Sequence, residues 1–406
     1  MTSSSFSWLD FDEPARQRMR EIVELLREEG SIDELGLGRI RDAFSDRLFP
    51  GTSVLWRRAR YLLFVTWIYE SIEREGFRQN DAERAARALQ RKLRDAILSS
   101  DDHTGLIGLR RADPAAPPDV ILWAALRQWG LRGAGAGTLR QYRSSLSRRP
   151  RHAVEGDPQI ASVWNPQVPK APREFPEDAS FALTQPEARF LHDLVVSEDA
   201  DPDSDGDDAR RRDSMLADLL RVEDLDDVNA PWQHQLSDSA SDELREALWM
   251  SGCFSDTMHG ATLLYARRLA ELREDDEQLE AADAEIVGWA NRATDAGRLQ
   301  ELARWATDLP AFFAVVETRR RTSPAERAFV KNWSTLALRD PTAVARSRDA
   351  VRLVEDREAH SKQGKARLTA PRDRDRGDGG AIPGPLTYRW GNALQLVKDI
   401  RTGLEA

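Results

Sequence analysis

Arginines and large aromatic residues lie close together at several places in the first 150 residues of this 406-residue chain, and together they could bind anions. Guanidinium groups hold phosphates and carboxylates through paired hydrogen bonds, and planar rings can stack on nucleic-acid bases. The stretch 104–149 carries most of the candidates on a Gly-rich turn, a Trp-rich helix, a Gly/Ala hinge and an Arg-rich helix. The candidate contact residues for nucleic acid or a protein partner are Arg57, Arg58, Arg110, Arg111, Arg127, Arg132, Arg140, Arg143, Arg148 and Arg149.

The same residues also fit a purely structural role. Trp123 and Trp129 are expected to fill a core, because large rings on helices supply much of the buried apolar area. Exposed arginines commonly solubilise a helix. The two helices around the hinge resemble a helix-turn-helix with 138–148 as the reading helix, but the join is longer than the usual turn. Nucleic-acid contact and protein contact therefore both remain open.

Other catalytic and cofactor motifs are missing from the sequence. None of the six histidines lies four residues from another, and a single cysteine, Cys253, cannot form a thiolate cage for zinc. The glycines at 133–137 lie between predicted helices and lack the strand that a dinucleotide site requires. Cys253 is expected to be a small buried residue, and His259 a surface or capping residue. The sequence therefore predicts no metal and no cofactor.

Helical periodicity dominates the chain and predicts a mainly α fold. The apolar run at 61–69 is too short to cross a membrane, so we expect it to form the buried part of a helix over 54–75. Thr138 is expected to cap the Arg-rich helix. Thr184 and Ser323 each begin a capping box, in which the cap residue and a glutamate three positions later bond each other's backbone.

Composition predicts two multi-helix domains joined by a Pro-rich connector, with a C-terminal helix after a basic loop. Residues 1–151 hold 26 Lys/Arg and 21 Asp/Glu, whereas the remainder holds 33 and 48. The predicted divisions are a basic helical domain with an Arg/Trp-rich helix pair at 1–150, an extended connector at 151–183, an acidic helical domain with a mobile loop near 197–213 at 184–355, and the polar loop and final helix at 356–406.

Charge and targeting features predict a cytoplasmic protein without a membrane partner. The formal net charge of -10 argues against coating nucleic acid with the whole surface. One cysteine excludes an intrachain disulfide framework, and the first residues lack the basic and apolar regions of a signal peptide.

Several segments spread along the chain resemble one family. They are SFSWLDFDEPARQRM at 5–19, LFPGTSVL at 48–55, RARYLLFVTWIY at 58–69, TGLIGLRR at 104–111, PPDVILWAALRQWGLR at 117–132, KARL at 365–368 and YRW at 388–390. Together they resemble an uncharacterised bacterial family, a domain of unknown function encoded in antiviral defence islands beside helicases and nucleases. The resemblance covers nearly the whole chain and assigns no catalytic residue. Where the family has Pro-Ser-Ser-Ile-Tyr-Trp, this chain has Pro-Asp-Val-Ile-Leu-Trp at 118–123, so that serine is not an obligatory nucleophile.

The resemblance and the charge pattern lead to one main hypothesis and two alternatives. The main hypothesis is a non-catalytic component of an antiviral defence system. It would dock partner proteins such as a helicase or nuclease, or DNA, through an N-terminal Arg/Trp surface. The first alternative is an enzyme of nucleic-acid or nucleotide hydrolysis whose site is assembled across domains. The second is a purely structural adaptor.

Overall fold

A computed structural model of the chain describes residues 33–75, 79–109, 114, 116–146, 162–197, 207–225, 227–318, 321–373 and 382–406. The helices are α1 Gly38–Leu48, α2 Tyr61–Glu75, α3 Gln79–Leu98, α4 Pro118–Gln128, α5 Leu139–Leu146, α6 Gln185–Val196, α7 Asp207–Arg212, α8 Met215–Arg221, α9 Asp242–Arg273, α10 Asp276–Ala293, α11 Ala296–Thr307, α12 Leu309–Val316, α13 Pro324–Arg339, α14 Arg348–Lys362 and α15 Trp390–Glu405. Short 3-10 helices are Ala134–Ala136, Pro231–Gln233, Pro341–Arg346, Gln363–Lys365 and Pro371–Asp373.

The mainly α fold that helical periodicity predicts is confirmed. The described residues contain no β-strand, and their only β contacts are two isolated bridges, Ser53 with Trp56 and Arg132 with Trp164. Within these ranges no helix is both long enough and apolar enough to span a bilayer.

The predicted capping boxes of α6 and α13 are both formed. The backbone N–H of Thr184 donates to the Glu187 carboxylate at 2.9 Å, and that of Ser323 donates to Glu326 at 2.6 Å. Thr138 also caps α5 as expected, because its hydroxyl accepts from the N–H of Gln141 at 3.2 Å. These caps satisfy N–H groups that a helix start otherwise leaves without partners.

The helix predicted over 54–75 begins later, at Tyr61, so its predicted start was wrong. Residues 53–56 form a turn, and the N–H of Ala59 donates to the side chain of Asp399 at 2.9 Å. These contacts hold the backbone outside a helix up to residue 60. From Tyr61 onward the run of apolar residues is buried on all sides, as the pattern predicts.

The chain forms two compact units, and each unit is discontinuous in sequence. Unit one contains the described residues of Gly51–Arg212 and of Asn392–Ala406. Unit two contains residues 33–50 and 213–391, again where described. This division differs from the consecutive domains expected from composition. Composition reports local sequence, whereas the C-terminal helix joins unit one through long-range contacts such as that between Arg58 and Asp399.

Unit one is built around α2. This helix packs against α3 and α4, and α5 packs against α3. The predicted connector contributes to the same core, because Trp164 is only 4% exposed. Part of the predicted mobile loop near 197–213 is ordered as α7, where buried Arg211 donates to the carbonyl of Leu194 at 2.6 Å.

Unit two is built around the long helix α9, which packs against α10, α13, α14 and α1. Gly260 lets α10 approach α9 closely, since a Cβ atom there would lie 2.4 Å from the Trp289 ring. Phe44, Phe254 and Phe312 form the aromatic centre of this unit, with the ring centroids of Phe254 and Phe312 5.4 Å apart. The core of unit two is therefore aromatic and closely packed.

Candidate interaction site on unit one

The aromatic rings of the Trp-rich stretch lie inside unit one. Trp123, Tyr142, Trp164 and Tyr69 form one cluster, with the rings of Trp123 and Tyr142 5.1 Å apart and those of Tyr69 and Tyr142 5.4 Å apart. Trp129 is fully buried, as expected for a core residue. These rings pack against each other, so they present no face on which a base could stack.

A buried charge network surrounds this cluster at the start of α4. The Tyr69 hydroxyl donates to Asp119 at 2.6 Å and accepts from Nε of Arg143 at 2.9 Å. Arg143 also forms an ion pair with Asp119, and its Nη1 lies 3.5 Å from Glu83. Burial and the neighbouring Asp119 charge raise the pKa of Tyr69 well above its ordinary value. Arg143, which was predicted as a contact residue, is instead largely buried, because Asp119 neutralises it within the fold.

The network continues through Tyr142. Its hydroxyl donates to Glu73 at 2.6 Å and accepts from Nε1 of Trp164 at 3.2 Å. Tyr142 of α5 is thus bonded to Glu73 of α2 and to Trp164 of the predicted connector, and these contacts fix the position of α5 in unit one.

Arg132 is held by aromatic and carbonyl groups. Its guanidinium carbon lies 4.3 Å from the centre of the Trp123 ring, and its Nε donates to the Trp123 carbonyl at 3.0 Å. Burial, together with the nearby charge of Arg127, lowers the pKa of Arg132 to about 10. Arg132 forms no ion pair with any described carboxylate, so its cation is stabilised by the ring quadrupole and the carbonyl dipole.

Arg58 connects three segments of unit one. Its guanidinium donates to Asp399 at 3.0 Å, pairs with Asp102, and lies 4.4 Å from the Phe181 ring centre. Burial acts to lower the pKa of Arg58, but the bonds to Asp399 and Asp102 raise it above the ordinary value. The same contact lowers the pKa of Asp102. Arg58 therefore has a structural role within unit one.

Six of the ten predicted arginines lie in the described residues, and three of these six are exposed, namely Arg57, Arg127 and Arg140. Within the described part of the chain, Arg57 and Arg140 form no ion pair. Arg57 packs along the Gly-rich turn, where a Cβ atom added to Gly105 would lie 3.1 Å from its Cγ atom. Gly105 has φ +83°, a conformation that favours glycine. Arg110, Arg111, Arg148 and Arg149 lie outside the described residues.

The sequence reasoning missed two features of this region. The first is the pairing of Asp119 with Tyr69 and Arg143, which joins three different helices and leaves no local signal in the sequence. The second is the face of α3 that carries arginines at positions 87, 91 and 94. Residues spaced by four and then three lie on one side of a helix, so this spacing was the available signal.

Unit two holds the only cysteine. Burial raises the pKa of Cys253 to about 12, so its thiol remains protonated at neutral pH, as expected for a small buried residue. Among the side chains described here, no three His, Cys, Asp or Glu residues come together as possible metal ligands.

The chain belongs to a family of unknown function, DUF6361, whose profile matches residues 3–402. Neither the curated proteins nor the solved structures include a match to the chain.

Proposed function

We propose that the chain is a non-catalytic component of a bacterial antiviral defence system. It docks an anionic partner, DNA or an acidic face of a partner protein, through exposed arginines of unit one. The defence role rests on the sequence resemblance described above, and the docking role rests on the arginines.

This proposal rests on one observation, which is that the arginines of unit one differ in their exposure and in their pairing with carboxylates. Arg58 and Arg143 are neutralised by carboxylates inside the fold, and Arg132 is held against Trp123. Arg57 and Arg140 remain exposed without an ion pair to a described residue. An exposed guanidinium still has its full set of donors for phosphate or carboxylate oxygens. The proposed docking surface therefore consists of exposed arginines, and the buried Trp123 and Trp129 are not part of it.

Binding of a short DNA duplex, measured by fluorescence anisotropy at several salt concentrations, tests the DNA form of the proposal. Phosphate contacts predict that affinity falls steeply between roughly 50 and 200 mM salt. Replacing Arg57, Arg127 and Arg140 together by alanine should weaken binding and reduce the salt dependence. The matched control replaces three exposed arginines of unit two, Arg339, Arg346 and Arg352, and makes the same change in net charge.

Two results would decide against DNA. The first is no binding at low salt, and the second is an equal loss in the two triple variants. A pull-down from the native host with nuclease treatment then tests protein docking. A partner that is retained after nuclease treatment, and lost with the unit-one variant only, supports that form. If neither DNA nor protein binding depends on these arginines, the docking proposal fails.

A further inference from the structure

One face of α4 in unit one is exposed. Val120, Ala124 and Arg127 are spaced by four and then three positions, so they lie in one row on the helix surface. All three residues are exposed, and the exposed fraction of Val120 is 45%. The row therefore begins with two apolar side chains and ends with a cation in the last turn of the helix.

A second exposed arginine lies near this C-terminal end of α4. Arg211 of α7 donates to the carbonyl of Gln128 and, at 2.6 Å, to that of Leu194, and these bonds place α7 beside the last turn of α4. Its neighbour in the chain, Arg210, is exposed and forms no ion pair with a described residue. The apolar part of the α4 face is therefore followed by cations from two helices.

The segment that contains α4 has no exposed carboxylate of its own. Residues 120–146 contain neither Asp nor Glu. The acidic residue of α4 is Asp119, which is 1% exposed and bonded inside unit one. Burial and the nearby charge of Arg127 lower the pKa of Arg132 to about 10, as expected where cations approach each other. The exposed charge that α4 contributes is therefore positive.

The exposed face is fixed from inside unit one. Trp123 of the same helix donates through Nε1 to the Gly137 carbonyl at 3.0 Å, and its own carbonyl accepts from Arg132 at 3.0 Å. A surface that is already ordered loses little conformational entropy when a partner binds. Because the side chain of Ala124 is short, a partner can also approach the backbone of α4 closely.

We propose that this face of α4, together with Arg210, docks an acidic amphipathic helix of a partner protein. This inference rests on the proposed docking function and names the class of partner. Val120 and Ala124 contact apolar side chains of the partner helix, and Arg127 and Arg210 contact its carboxylates. Apolar side chains beside arginines are common in protein interfaces. A DNA backbone gains little from covering Val120 and Ala124, because it is bound through hydrogen bonds and ion pairs.

Charge also favours one orientation, in which the partner helix runs antiparallel to α4. The C-terminal end of a helix carries a partial negative charge and the N-terminal end a partial positive charge, so antiparallel helices place opposite ends side by side. Carboxylates are favoured in the first turn of a helix, and in this orientation that turn lies beside Arg127 and Arg210. Val120 lies about two turns, or roughly 10 Å, before Arg127. The apolar residues of the partner therefore follow its carboxylates by one to two turns.

Fluorescence anisotropy of a labelled peptide with the full chain at low salt tests this inference. The probe is a designed amphipathic helix of about 18 residues, with glutamates in its first turn and leucines every three or four positions after them. A control peptide has lysines in place of the glutamates. We expect the glutamate peptide to bind and the lysine peptide to give no change in anisotropy.

Two sets of variants locate the binding. Val120→Gln combined with Ala124→Gln removes the apolar contact and keeps the net charge. This α4 pair should weaken binding of the glutamate peptide by about tenfold or more and leave binding of the DNA duplex unchanged. The matched control is Val287→Gln in unit two, at a valine that is 59% exposed, and it should change neither. Arg127→Glu combined with Arg210→Glu should exchange the preference, so that the lysine peptide binds. Circular dichroism checks that each variant is folded.

Four results would overturn the inference. They are no binding of the glutamate peptide to the wild type, equal weakening by the α4 pair and by Val287→Gln, a charge-reversed variant that still prefers the glutamate peptide, and equal weakening of peptide and duplex binding by the α4 pair. The last result would assign this face to a DNA surface. If the peptide fails to bind while the Arg57, Arg127 and Arg140 variant still weakens binding of DNA or of a captured partner, this inference fails and the proposed docking function stands.

Discussion

The cluster of Tyr69, Asp119 and Arg143 in unit one and the cluster of Phe44, Phe254 and Phe312 in unit two fill buried space with different chemistry. In unit one, opposite charges and a hydroxyl bond each other beside aromatic rings. In unit two, aromatic rings pack directly, with centroids 5.4 to 6.5 Å apart.

The difference determines how each cluster tolerates substitution. A charged group that loses its partner remains buried without compensation, whereas a missing ring leaves a cavity that neighbours can partly fill. When one member of the charged cluster is removed, removing its partner as well should therefore restore part of the lost free energy of unfolding. When a ring is removed, no second removal should restore stability. The following variants test this distinction.

Asp119→Ala should have the largest effect, a loss of about 4 kcal/mol in the free energy of unfolding of unit one. Asp119 is 1% exposed, and its removal takes away the acceptor of the Tyr69 hydroxyl and the close carboxylate partner of Arg143, which keeps only Glu83 at 3.5 Å. Hydrogen exchange of α4 and α5 as a function of urea reports the change in this unit.

The matching double variant sharpens the comparison. Asp119→Leu with Arg143→Leu removes both charges and leaves the net charge unchanged, so it should destabilise unit one less than Asp119→Ala alone. If the double variant loses as much stability as the two single changes combined, the pairing of the charges is unimportant and the proposed contrast is wrong.

Phe312→Ala should destabilise unit two by about 3 kcal/mol, because the Phe312 ring contacts Phe44, Phe254 and Trp305. Exchange of α9 and α12 amides measures this loss. Raising the salt concentration should leave it unchanged, since no charge is involved. A further Phe254→Ala change should add to the loss. Recovery of stability in that double variant would contradict the cavity interpretation.

Arg132→Met should cost about 2 kcal/mol in the free energy of unfolding, since it keeps an apolar chain in place of the arginine methylenes but removes the cation above Trp123 and the bond to the Trp123 carbonyl. The control is Arg140→Ala at an exposed position, which should change stability by less than about 0.5 kcal/mol. Exchange of α4 amides in urea gives both values. Equal effects at the two positions would show that burial of Arg132 is energetically unimportant.

His259 should produce the smallest effect, and only at acidic pH. It was expected to be a surface or capping residue, but it is buried and its Nε2 lies 3.0 Å from the Pro383 carbonyl. Burial lowers its pKa below the ordinary value of 6.5. As pH falls below 6.5, the unfolded chain therefore binds a proton before the folded chain does, and unit two loses stability. Urea unfolding of wild type and His259→Gln from pH 8 to 5 tests this. The wild type should lose more stability than the variant, and parallel profiles would exclude the effect.

Sequence patterns predicted the features that depend on neighbours along the chain. The capping boxes at Thr184 and Ser323, the buried run after Tyr61 and the core position of Trp129 follow from local spacing and residue size. The start of the helix at Tyr61 was missed, because residues before it are bonded to Asp399. That contact joins positions 340 residues apart and leaves no local signal.

Whether an individual arginine is exposed or buried also depends on tertiary contacts that the local sequence does not reveal. Arg140 and Arg143 lie on the same short helix, yet Arg140 is exposed and Arg143 is bonded to Asp119 and Tyr69. Which residue turns inward depends on where α4 and α2 place their polar groups. Residue type could nominate the arginines, but only tertiary contacts separate those available for binding from those used in folding.

The bond between Arg58 and Asp399 has a consequence for the order in which the protein is made. During synthesis, residue 58 leaves the ribosomal exit tunnel long before residue 399 does. Residues 213–391, which belong to unit two, emerge between them. Unit one therefore stays incomplete while unit two acquires all of its sequence. Contacts between residues so far apart form slowly, because a long loop must close first. In the nascent chain, Arg58 therefore lacks its Asp399 partner until α15 has been translated.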